Sequence, residues 1–570
     1  MFLESVMIAA LTLAPGSALA QRSDAQDVRP HVHRTGANLA PNPNVRGGAG
    51  WSLNRGALVD EKTSRKPGSG SFDLSKVDSQ VQSDLIPVTL GRNYIYAAYL
   101  RTSKHPALAY MNVAVYDSAK KFKYNWKGSY QTTTAADAWQ ETAIGFTPRD
   151  GDAMVRLTYG RMPKGKSPHE DGRVWVDEFY FGEGLGFEQP PSPKKPFGGS
   201  QIRVDALGNF EVLRSGKWQP YFPFGIYRHS SRPNLQIYSD QGFNCIFANS
   251  FSLDVLQRAK NAVSKWNPDG MMSCIDIEQY LDRRESSFKD MPGFRKNLAR
   301  LMESPLRDRV LAYYWDNEQY DQYDLPREVC QAIQRTDVDS QGRRRRPIYM
   351  LHGDQGLTRA FGGLADVTGD YLRDRHTRAV HGPQQTTRQR HLVLDCIEQQ
   401  RLPLTIGIIS EEETAEGVRR LVYEHLMAGG KGIAYFRDGA FYDYNGDRNS
   451  PAAKDVTLRK CWSEFPKLRA EIDRLMPLIR QPHWTAWKLT TTAAGLEWGT
   501  RDYQNEGYAL FLNPTAADVT ATFTVQRLGY APASAVDYFT GKEIAPVKSS
   551  RFTMTLPANQ TAVVRLARPR

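Results

Sequence analysis

The stretch VLAYYWDNE at residues 310–318 is an apolar run that ends abruptly in an acidic and amide cluster. A short, uninterrupted apolar run of this kind predicts a strand buried on both faces, as in a parallel sheet. Seven further runs between about 221 and 481 show the same character, and helical stretches with apolar residues three to four apart separate them. We therefore predict regular strand–helix alternation across this part of the chain.

The eight predicted strands are Phe222–Tyr227, Phe243–Ala248, Met271–Ile275, Val310–Trp315, Pro347–His352, Asp366–Thr368, Leu404–Ile409 and Gly432–Phe436. The clearest predicted helices are Val255–Ala262, Phe294–Met302, Glu328–Ile333, Arg388–Ile397, Gly417–Met427 and Trp462–Leu475. Eight repeats in about 260 residues fit a (β/α)8 TIM barrel. A doubly wound sheet is the alternative, but the first strand is followed by Tyr227-Arg228-His229-Ser230 rather than by a glycine-rich phosphate loop.

Short alternating strands flank this region on both sides, and the fold class we predict is a multidomain chain with a central barrel between two β-rich domains. Residues 37–187 predict a β-sandwich, 188–200 a proline-rich linker, 201–482 the barrel with a preceding hairpin, and 483–570 a C-terminal β-sandwich. The hairpin is expected at Ile202–Asp205 and Phe210–Leu213. A chain of 570 residues is too long for one core.

The N-terminus and the cysteines bear on the compartment. Residues 1–20 predict a signal peptide, because an apolar core precedes Ala18-Leu19-Ala20, although no Lys or Arg precedes that core. We therefore expect a secreted or periplasmic protein, and no later apolar run reaches the roughly 20 residues of a transmembrane helix. The 5 cysteines do not form a disulfide framework, but one bridge between Cys245 and Cys274 stays open.

Polar residues after the barrel strands are the candidates for chemistry, because barrel enzymes react at the carboxyl ends of their strands. Tyr227, Trp315 and Phe436 are candidate platforms for sugar rings. The polar candidates are Asp276, Glu278, Asp316, Asn317, Glu318, His352, Asp354, Asp370, Glu411, Glu412, Glu413 and Asp438. Arg343–Arg346 precede a strand, so we expect a solvated loop on the opposite face and no nucleic-acid site.

A rim rich in carboxylates and aromatic rings favours hydrolysis of glycosidic bonds. That reaction needs a carboxylic acid that protonates the leaving oxygen and a second carboxylate. Glu318, which follows Tyr313-Tyr314-Trp315, is placed to hold its proton against apolar neighbours. No regular set of His or Cys ligands predicts a catalytic metal, and we expect no catalytic cofactor.

Trp315-Asp316-Asn317-Glu318 resembles the Asn-Glu motif of the large clan of (β/α)8 retaining glycosidases. The resemblance implies Glu318 as acid/base and Asn317 as a contact to the sugar. In that clan a Glu after the seventh strand is the nucleophile, which implies Glu411 within Ser410-Glu411-Glu412-Glu413, with the register among the three Glu residues open. Asp316, His352 and Asp370 are further candidate substrate contacts on the same rim.

The two domains that flank the barrel also resemble known domains. Asn42-Pro43-Asn44, Trp51 and Val174–Glu178 are similar to the jelly-roll carbohydrate-binding modules of polysaccharide hydrolases. That similarity implies a structural calcium at Asp177. Tyr96, Tyr99, Trp126 and Trp139 are either sugar-stacking rings or core residues: the core is favoured for Trp139, and Trp126, in a polar Lys-rich loop, is the better candidate for stacking. Tyr508–Pro514 and Leu556–Gln560 resemble the C-terminal β-sandwich of glycosidases.

The predicted function is hydrolysis of a polysaccharide or oligosaccharide by paired carboxylates, with retention favoured and inversion open. Asp276, Glu278 and Asp370 are alternatives to Glu411 as the second carboxylate. A non-catalytic glycan-binding or polysaccharide-assembly protein with a degenerate barrel is the main alternative. A polysaccharide lyase that uses Arg228, His229 or His352 is a weaker one.

Overall fold

The structure is a computed structural model of the chain. It describes residues 33–34, 36–90, 92, 94–105, 107–126, 130–131, 133, 136–146, 148, 151–164, 167, 169–185, 196–227, 235–248, 252–277, 281–282, 287–288, 291–317, 324–352, 365–373, 404–410, 414–435, 456–483, 485–491, 493 and 495–569. The predicted fold class is confirmed: a closed parallel barrel lies between β-rich domains. The signal peptide predicted at 1–20 falls outside these ranges, and the domain boundaries stay predictions.

The N-terminal domain consists of two antiparallel sheets around one core. Its strands are β1 His33–Arg34, β2 Trp51–Asn54, β3 Leu58–Asp60, β4 Ser71–Asp73, β5 Gln80–Ser83, β6 Ile86–Pro87, β7 Tyr94–Thr102, β8 Ala109–Tyr116, β9 Phe122–Trp126, β10 Tyr130–Gln131, β11 Gln140–Phe146, β12 Met154–Arg161 and β13 Val174–Leu185. One sheet has the order β11-β7-β13-β4-β3, and the other has the order β10-β8-β12-β5-β2. Inward residues of both sheets, such as Phe72, Val113 and Val176, share a core.

A four-stranded antiparallel sheet leads into the barrel. It comprises β14 Phe197–Gly198, β15 Ile202–Val204, β16 Phe210–Arg214 and β17 Lys217–Tyr221, so the predicted hairpin is its centre. Ile202, Val204 and Phe210 belong to the same buried cluster as the interior barrel residues Cys245 and Met272. The sheet therefore supplies apolar side chains that complete the barrel's interior core.

Eight parallel strands close the barrel in chain order, each paired with the next and the last with the first. They are β18 Phe224–Tyr227, β19 Cys245–Ala248, β20 Met272–Asp276, β23 Val310–Asn317, β24 Ile348–His352, β25 Val367–Arg373, β26 Leu404–Ser410 and β27 Gly432–Tyr435. A short hairpin of β21 Leu281–Asp282 and β22 Ser287–Phe288 follows the third strand. All eight predicted strands are confirmed; their ends shift by two residues or fewer, except that β25 extends five residues beyond its predicted end.

The helices pack outside the barrel. They are α1 Gln236–Asp240, α2 Leu253–Asn261, α3 Met291–Glu303, α4 Asp324–Thr336, α5 Ala415–Met427 and α6 Val456–Ile479. Ser252 and Thr414 cap α2 and α5 by accepting hydrogen bonds from backbone amides at 3.2 and 3.0 Å. The short helix α1 was not predicted, and the predicted helix Arg388–Ile397 lies outside the described residues. None of the helices in the described ranges has the length and apolar composition to cross a membrane.

The C-terminal region forms two antiparallel sheets. Its strands are β28 Lys488–Thr491, β29 Glu497–Tyr503, β30 Glu506–Leu512, β31 Val519–Gln526, β32 Ser534–Asp537, β33 Glu543–Pro546, β34 Arg551–Leu556 and β35 Thr561–Ala567. The sheet orders are β28-β31-β34 and β29-β30-β35-β32-β33. In β34, buried and exposed residues alternate, so Phe552, Met554 and Leu556 enter the core between the sheets.

The arginine run before β24 departs from the expectation of a solvated loop. It does precede its strand, but Arg346 is 1% exposed and forms an ion pair of 2.8 Å with the buried Asp337. Arg344 donates two hydrogen bonds to Asp366. The run therefore ties neighbouring segments together at the amino-terminal end of the barrel, an arrangement that a charge count cannot reveal.

Cys245 and Cys274 do not form the disulfide bond that the sequence left open. Both thiols are free and fully buried within the barrel interior. Cys330 and Cys461 are also free and buried, whereas Cys396 lies outside the described residues. Burial raises the pKa of the Cys245 and Cys274 thiols, so both stay protonated and behave as small apolar groups.

Candidate active site

The carboxyl ends of the barrel strands meet on one rim, because all eight strands run parallel. Most of the described rim consists of strand ends, and the connecting loops fall largely outside the described ranges. The last strand residues are Tyr227, Ala248, Asp276, Asn317, His352, Arg373, Ser410 and Tyr435. These positions carry or directly precede most of the side chains that the sequence singled out.

Beneath the rim, four aromatic side chains fill the barrel interior. Tyr227 on β18 and Tyr314 on β23, the first and fourth strands of the barrel, meet in its interior, where the Tyr314 hydroxyl donates a hydrogen bond of 2.6 Å to the Tyr227 hydroxyl. The ring centroid of Phe247 lies 5.4 Å from that of Tyr314 in edge-to-face geometry. The ring centroid of Tyr349 also lies 5.4 Å from that of Tyr314, in stacked geometry. The barrel is therefore closed below the rim by a rigid aromatic floor.

Two glycines make room for these rings. A Cβ at Gly225 would lie 2.6 Å from the Phe247 ring, and a Cβ at Gly369 would lie 2.2 Å from the Tyr349 hydroxyl. The Tyr349 hydroxyl also donates a hydrogen bond of 3.0 Å to the Ile406 carbonyl. Small residues at these strand positions thus fix where the aromatic floor lies.

Asp276 is the candidate carboxylate on the rim whose side chain the structure describes. On its strand β20, Met272 and Cys274 belong to the interior cluster, whereas Ile275 and Ile277 belong to the outer cluster. Strand alternation therefore turns Asp276 toward the barrel axis. Asp276 is only 8% exposed and pairs in register with Tyr314, so its carboxylate lies at the edge of the aromatic floor.

Three other predicted contacts lie side by side in the backbone. Asn317 pairs in register with His352, and His352 pairs with Asp370, which makes a continuous row across the fourth, fifth and sixth barrel strands. Asp316 precedes this row by one residue and pairs with Leu351. For these polar residues the structure describes the backbone only, and the row shows that they share one level of the rim.

The two predicted catalytic residues follow strand ends directly. Glu318 comes immediately after Asn317, the last residue of β23, and Glu411 comes immediately after Ser410, the last residue of β26. Both Glu318 and Glu411 lie outside the described residues, as does Phe436, which follows β27. Their predicted roles therefore stay predictions, and their strands define only the rim to which they attach.

The predicted aromatic contacts occupy different places. Tyr227 is fully buried and belongs to the floor beneath the rim. Trp315 is 3% exposed and belongs to the outer cluster with Phe294 of α3 and Val329 of α4. Because its indole faces the helices and not the barrel axis, we leave Trp315 out of the candidate site.

Sequence reasoning missed Tyr314 and Tyr349 as site residues. In the structure Ala312 and Tyr314 belong to the interior cluster of the barrel, whereas Tyr313 and Trp315 belong to the outer cluster. What the sequence did not show is which face of an all-apolar strand turns inward. A parallel strand buried on both faces carries no polar residue that marks its outer side.

In the N-terminal domain, the described side chains do not fit a calcium site at Asp177. Its carboxylate accepts hydrogen bonds from the amides of Arg65 and Glu178, at 2.9 and 2.7 Å, and from the Ser69 hydroxyl. Glu178 forms ion pairs with Arg65 and Lys66. Burial raises the pKa of Asp177 to about 6, and no metal-binding group of three acidic, His or Cys side chains occurs within the described ranges.

The predicted sugar-stacking rings of this domain also differ in exposure. Tyr96 is fully buried in the core between the sheets, so of the two alternatives it is a core residue. Tyr99 is 6% exposed, and the Arg65 guanidinium covers it at 3.8 Å from its ring centroid. Trp139 is half-buried, and the Trp126 side chain is outside the described part.

Comparisons with known proteins give structural neighbours only. No protein-family model matches the sequence, and no curated protein matches it. An Anoxybacillus alpha-amylase is 11% identical with a TM-score of 0.38, covering 59% of this chain and 89% of its own. A GH30 endoxylanase from Clostridium papyrosolvens is 10% identical with a TM-score of 0.34, covering 61% and 97%.

A smaller neighbour is the CBM22-1 xylan-binding domain of Paenibacillus barcinonensis Xyn10C. It is 14% identical with a TM-score of 0.19, and the match covers 26% of this chain and 96% of that domain. Because identities and TM-scores this low do not support a transfer of activity, we take no site residue, substrate or mechanism from these neighbours.

Proposed function

We propose that this protein hydrolyses glycosidic bonds of a polysaccharide, with Glu318 as the acid/base and Glu411 as the nucleophile. The observation that carries the proposal is the closed parallel barrel, whose fourth and seventh strands end directly before these two residues. Strand ends of a closed parallel barrel share one rim, which is where barrel enzymes assemble their reacting groups.

The described part of the rim supports this chemistry. The buried Asp276 carboxylate can accept hydrogen bonds from sugar hydroxyls, and the aromatic floor below it excludes water from the barrel axis. Asn317, His352 and Asp370 form a polar row in the backbone register, and Asn317 directly precedes Glu318 in the chain. A few oriented polar groups over an apolar floor are typical of small-ligand sites.

The proposed reaction proceeds in two steps. The Glu318 carboxyl group donates its proton to the glycosidic oxygen, and the Glu411 carboxylate forms a bond to the anomeric carbon while the carbon–oxygen bond breaks. In the second step the Glu318 carboxylate takes a proton from water, the water oxygen attacks the anomeric carbon, and Glu411 leaves as a carboxylate. Retention requires the two carboxyl groups to lie about 5 Å apart, whereas a gap of roughly 6.5–9.5 Å gives inversion.

The test is turnover of a polysaccharide panel by the wild-type protein and by Glu318→Gln. We expect the variant to lose about a thousandfold or more in kcat, because general acid catalysis and leaving-group departure both need the proton. The matched control is Glu328→Gln on α4, an exposed Glu whose side chain is 51% accessible. The anomer formed first, followed by NMR, separates retention from inversion.

The outcomes distinguish the alternatives. Near-wild-type turnover by Glu318→Gln would refute its role as the acid. Wild-type protein that binds glycans but cleaves none of them would favour a glycan-binding or polysaccharide-assembly protein with a degenerate barrel. A product with a new carbon–carbon double bond, detected by its ultraviolet absorbance, would indicate a lyase.

Two further proposals extend beyond the barrel. The N-terminal domain is proposed as a carbohydrate-binding module, supported by its two-sheet architecture. Export to the periplasm or the medium is proposed from residues 1–20 alone. We also propose that catalysis needs no cofactor and that the protein has no nucleic-acid partner.

A further inference from the structure

We propose that the outer face of one N-terminal sheet binds an anionic polysaccharide, at a patch formed by Tyr116, Lys120, Lys121, Phe122 and Arg156. We call this surface the basic–aromatic patch. The inference extends the proposed function by naming the charge class of the polymer and the residues that hold it.

The patch lies on the sheet that contains β8, β9 and β12. Val113, Val115, Val155 and Leu157 point into the core of the domain. Tyr116 and Arg156, at alternating positions, therefore face outward. Phe122 pairs in register with Tyr116, and Asn125 pairs with Ala114, so the neighbouring strand β9 extends the same face.

One exposed ring, Phe122, and one half-buried ring, Tyr116, lie at the centre of the patch. The Phe122 side chain is 50% exposed. Its ring lies 5.9 Å from the Tyr116 ring in edge-to-face geometry, and the Arg156 guanidinium lies 5.6 Å from the Tyr116 ring centroid. Such rings offer flat apolar surfaces that suit the C–H faces of sugar rings, and burial of Phe122 by a ligand would be favourable.

A rigid turn presents two lysines beside these rings. The Lys121 amide donates a hydrogen bond of 2.9 Å to the Asp117 carboxylate, and the Asp117 amide donates one of 3.0 Å to the Lys121 carbonyl. Lys120 adopts a left-handed conformation with φ of 62°, which closes the turn. The turn is therefore preorganised, and little backbone ordering is required when a ligand binds.

The patch carries three cations and one anion, the Asp117 carboxylate of the turn. Within the described residues, Lys120, Lys121 and Arg156 have no ion pair with an Asp or Glu side chain. The neighbouring Lys123 differs, because it pairs at 2.7 Å with the buried Asp152. The remaining positive charge, beside one exposed and one half-buried ring, complements the carboxylates or sulfates of an anionic polysaccharide.

Amide groups continue the face away from the cations. The Asn112 side chain donates a hydrogen bond of 3.1 Å to the Asn125 side chain. Asn125 lies on β9, where it pairs in register with Ala114 of β8. Amides of this kind recognise sugar hydroxyls through their remaining donors and acceptors. The combination of rings, cations and amides distinguishes the patch from a surface that is merely positive.

The experiment measures binding of the full-length chain carrying Glu318→Gln to polygalacturonate, with neutral dextran for comparison. Neutralising three cations by Lys120→Gln, Lys121→Gln and Arg156→Gln should weaken binding to polygalacturonate by about tenfold or more at low salt, because unscreened charge attraction is lost. The control removes the same charge from exposed positions of the C-terminal domain, by Arg527→Gln, Lys542→Gln and Lys548→Gln. We expect it to bind like the parent.

A second pair of variants leaves the charge unchanged. Phe122→Ala should weaken binding to polygalacturonate by roughly fivefold through lost apolar contact. Leu58→Ala removes an apolar side chain that is 62% exposed elsewhere in the same domain, and it should have no effect.

Equal losses in the patch and control variants would overturn the proposal, because they would show a response to net charge alone. Equal binding to dextran and polygalacturonate, or binding only to phosphatidylserine vesicles, would overturn it too. Failure of the proposed hydrolysis is measured separately, as turnover by the wild-type chain, so a bound but uncleaved polymer would leave the patch standing.

Discussion

The buried pair of Arg346 and Asp337 leads to a sharp prediction about what holds the barrel together. The Arg346 side chain is 0% exposed and that of Asp337 1%, and Nη1 of Arg346 lies 2.8 Å from Oδ1 of Asp337. Arg346 also donates a hydrogen bond of 3.0 Å to the Val310 carbonyl, where β23 begins. Arg346→Met therefore leaves a buried carboxylate without its main partner and a strand carbonyl without its donor.

The cost follows from these contacts. Breaking a buried ion pair by removing one partner costs about 3–5 kcal/mol. In a barrel of this size we expect the melting temperature to fall by roughly 10 °C. The measurement is differential scanning calorimetry of the full-length variant at neutral pH, with assignment of the barrel transition by near-ultraviolet circular dichroism.

Arg343→Met is the matched control in the same run of arginines. Its side chain is 60% exposed, and it pairs at 2.8 Å with Asp339 four residues earlier. An exposed pair contributes about 0–1 kcal/mol, so this variant should melt close to the wild type. If Arg346→Met and Arg343→Met melt at the same temperature, the reasoning about burial is refuted. Replacing both buried partners, by Arg346→Met and Asp337→Leu, should recover part of the loss.

Three further predictions address the site and the flanking domains. Asp276→Asn should lower kcat/KM by about 10–100-fold, since a charge-assisted hydrogen bond to substrate contributes roughly 1.5–3 kcal/mol; an unchanged kcat/KM would exclude contact with the substrate. Arg501→Met should lower the free energy of unfolding by about 2 kcal/mol in calorimetry, because the buried guanidinium donates to the Leu426 and Met427 carbonyls at the end of α5. Burial raises the pKa of Asp177 to about 6. This carboxyl group therefore favours the folded N-terminal domain below its unfolded pKa, and that stability should be lost as the pH rises from about 4 to 6, by roughly 3 kcal/mol. Chemical denaturation of the wild type and of Asp177→Asn between about pH 4 and 6 measures how the free energy of unfolding changes with pH. The same pH dependence in both proteins would contradict the prediction.

The barrel strands were predictable because each is a short apolar run with polar ends. β23 and β24 illustrate this, since their predicted and observed bounds differ by two residues or fewer. The short helix α1 escaped prediction because its five residues are too few for a helical period to be visible in the sequence.

The candidate site was predictable to the level of the rim and no further. Glu318 and Glu411 could be assigned to strand ends from sequence order alone. The inward direction of Asp276 and the outward direction of Trp315 required the structure, because both faces of these strands are apolar. The same limit applied to Tyr96, whose burial between two sheets depends on the register of β7 with β11 and β13.

The sequence by itself determined the order of domains, the eight strands of the barrel and the polar residues that follow them. These features are local, since each depends on a hydrophobic period or on the end of an apolar run. Only the tertiary structure decided that Tyr227 and Tyr314 meet across the barrel, that Arg346 is buried, and that Phe122 stands exposed among unpaired cations. Those facts depend on contacts between residues far apart in the chain, and the side-chain types alone do not specify which partner each residue meets.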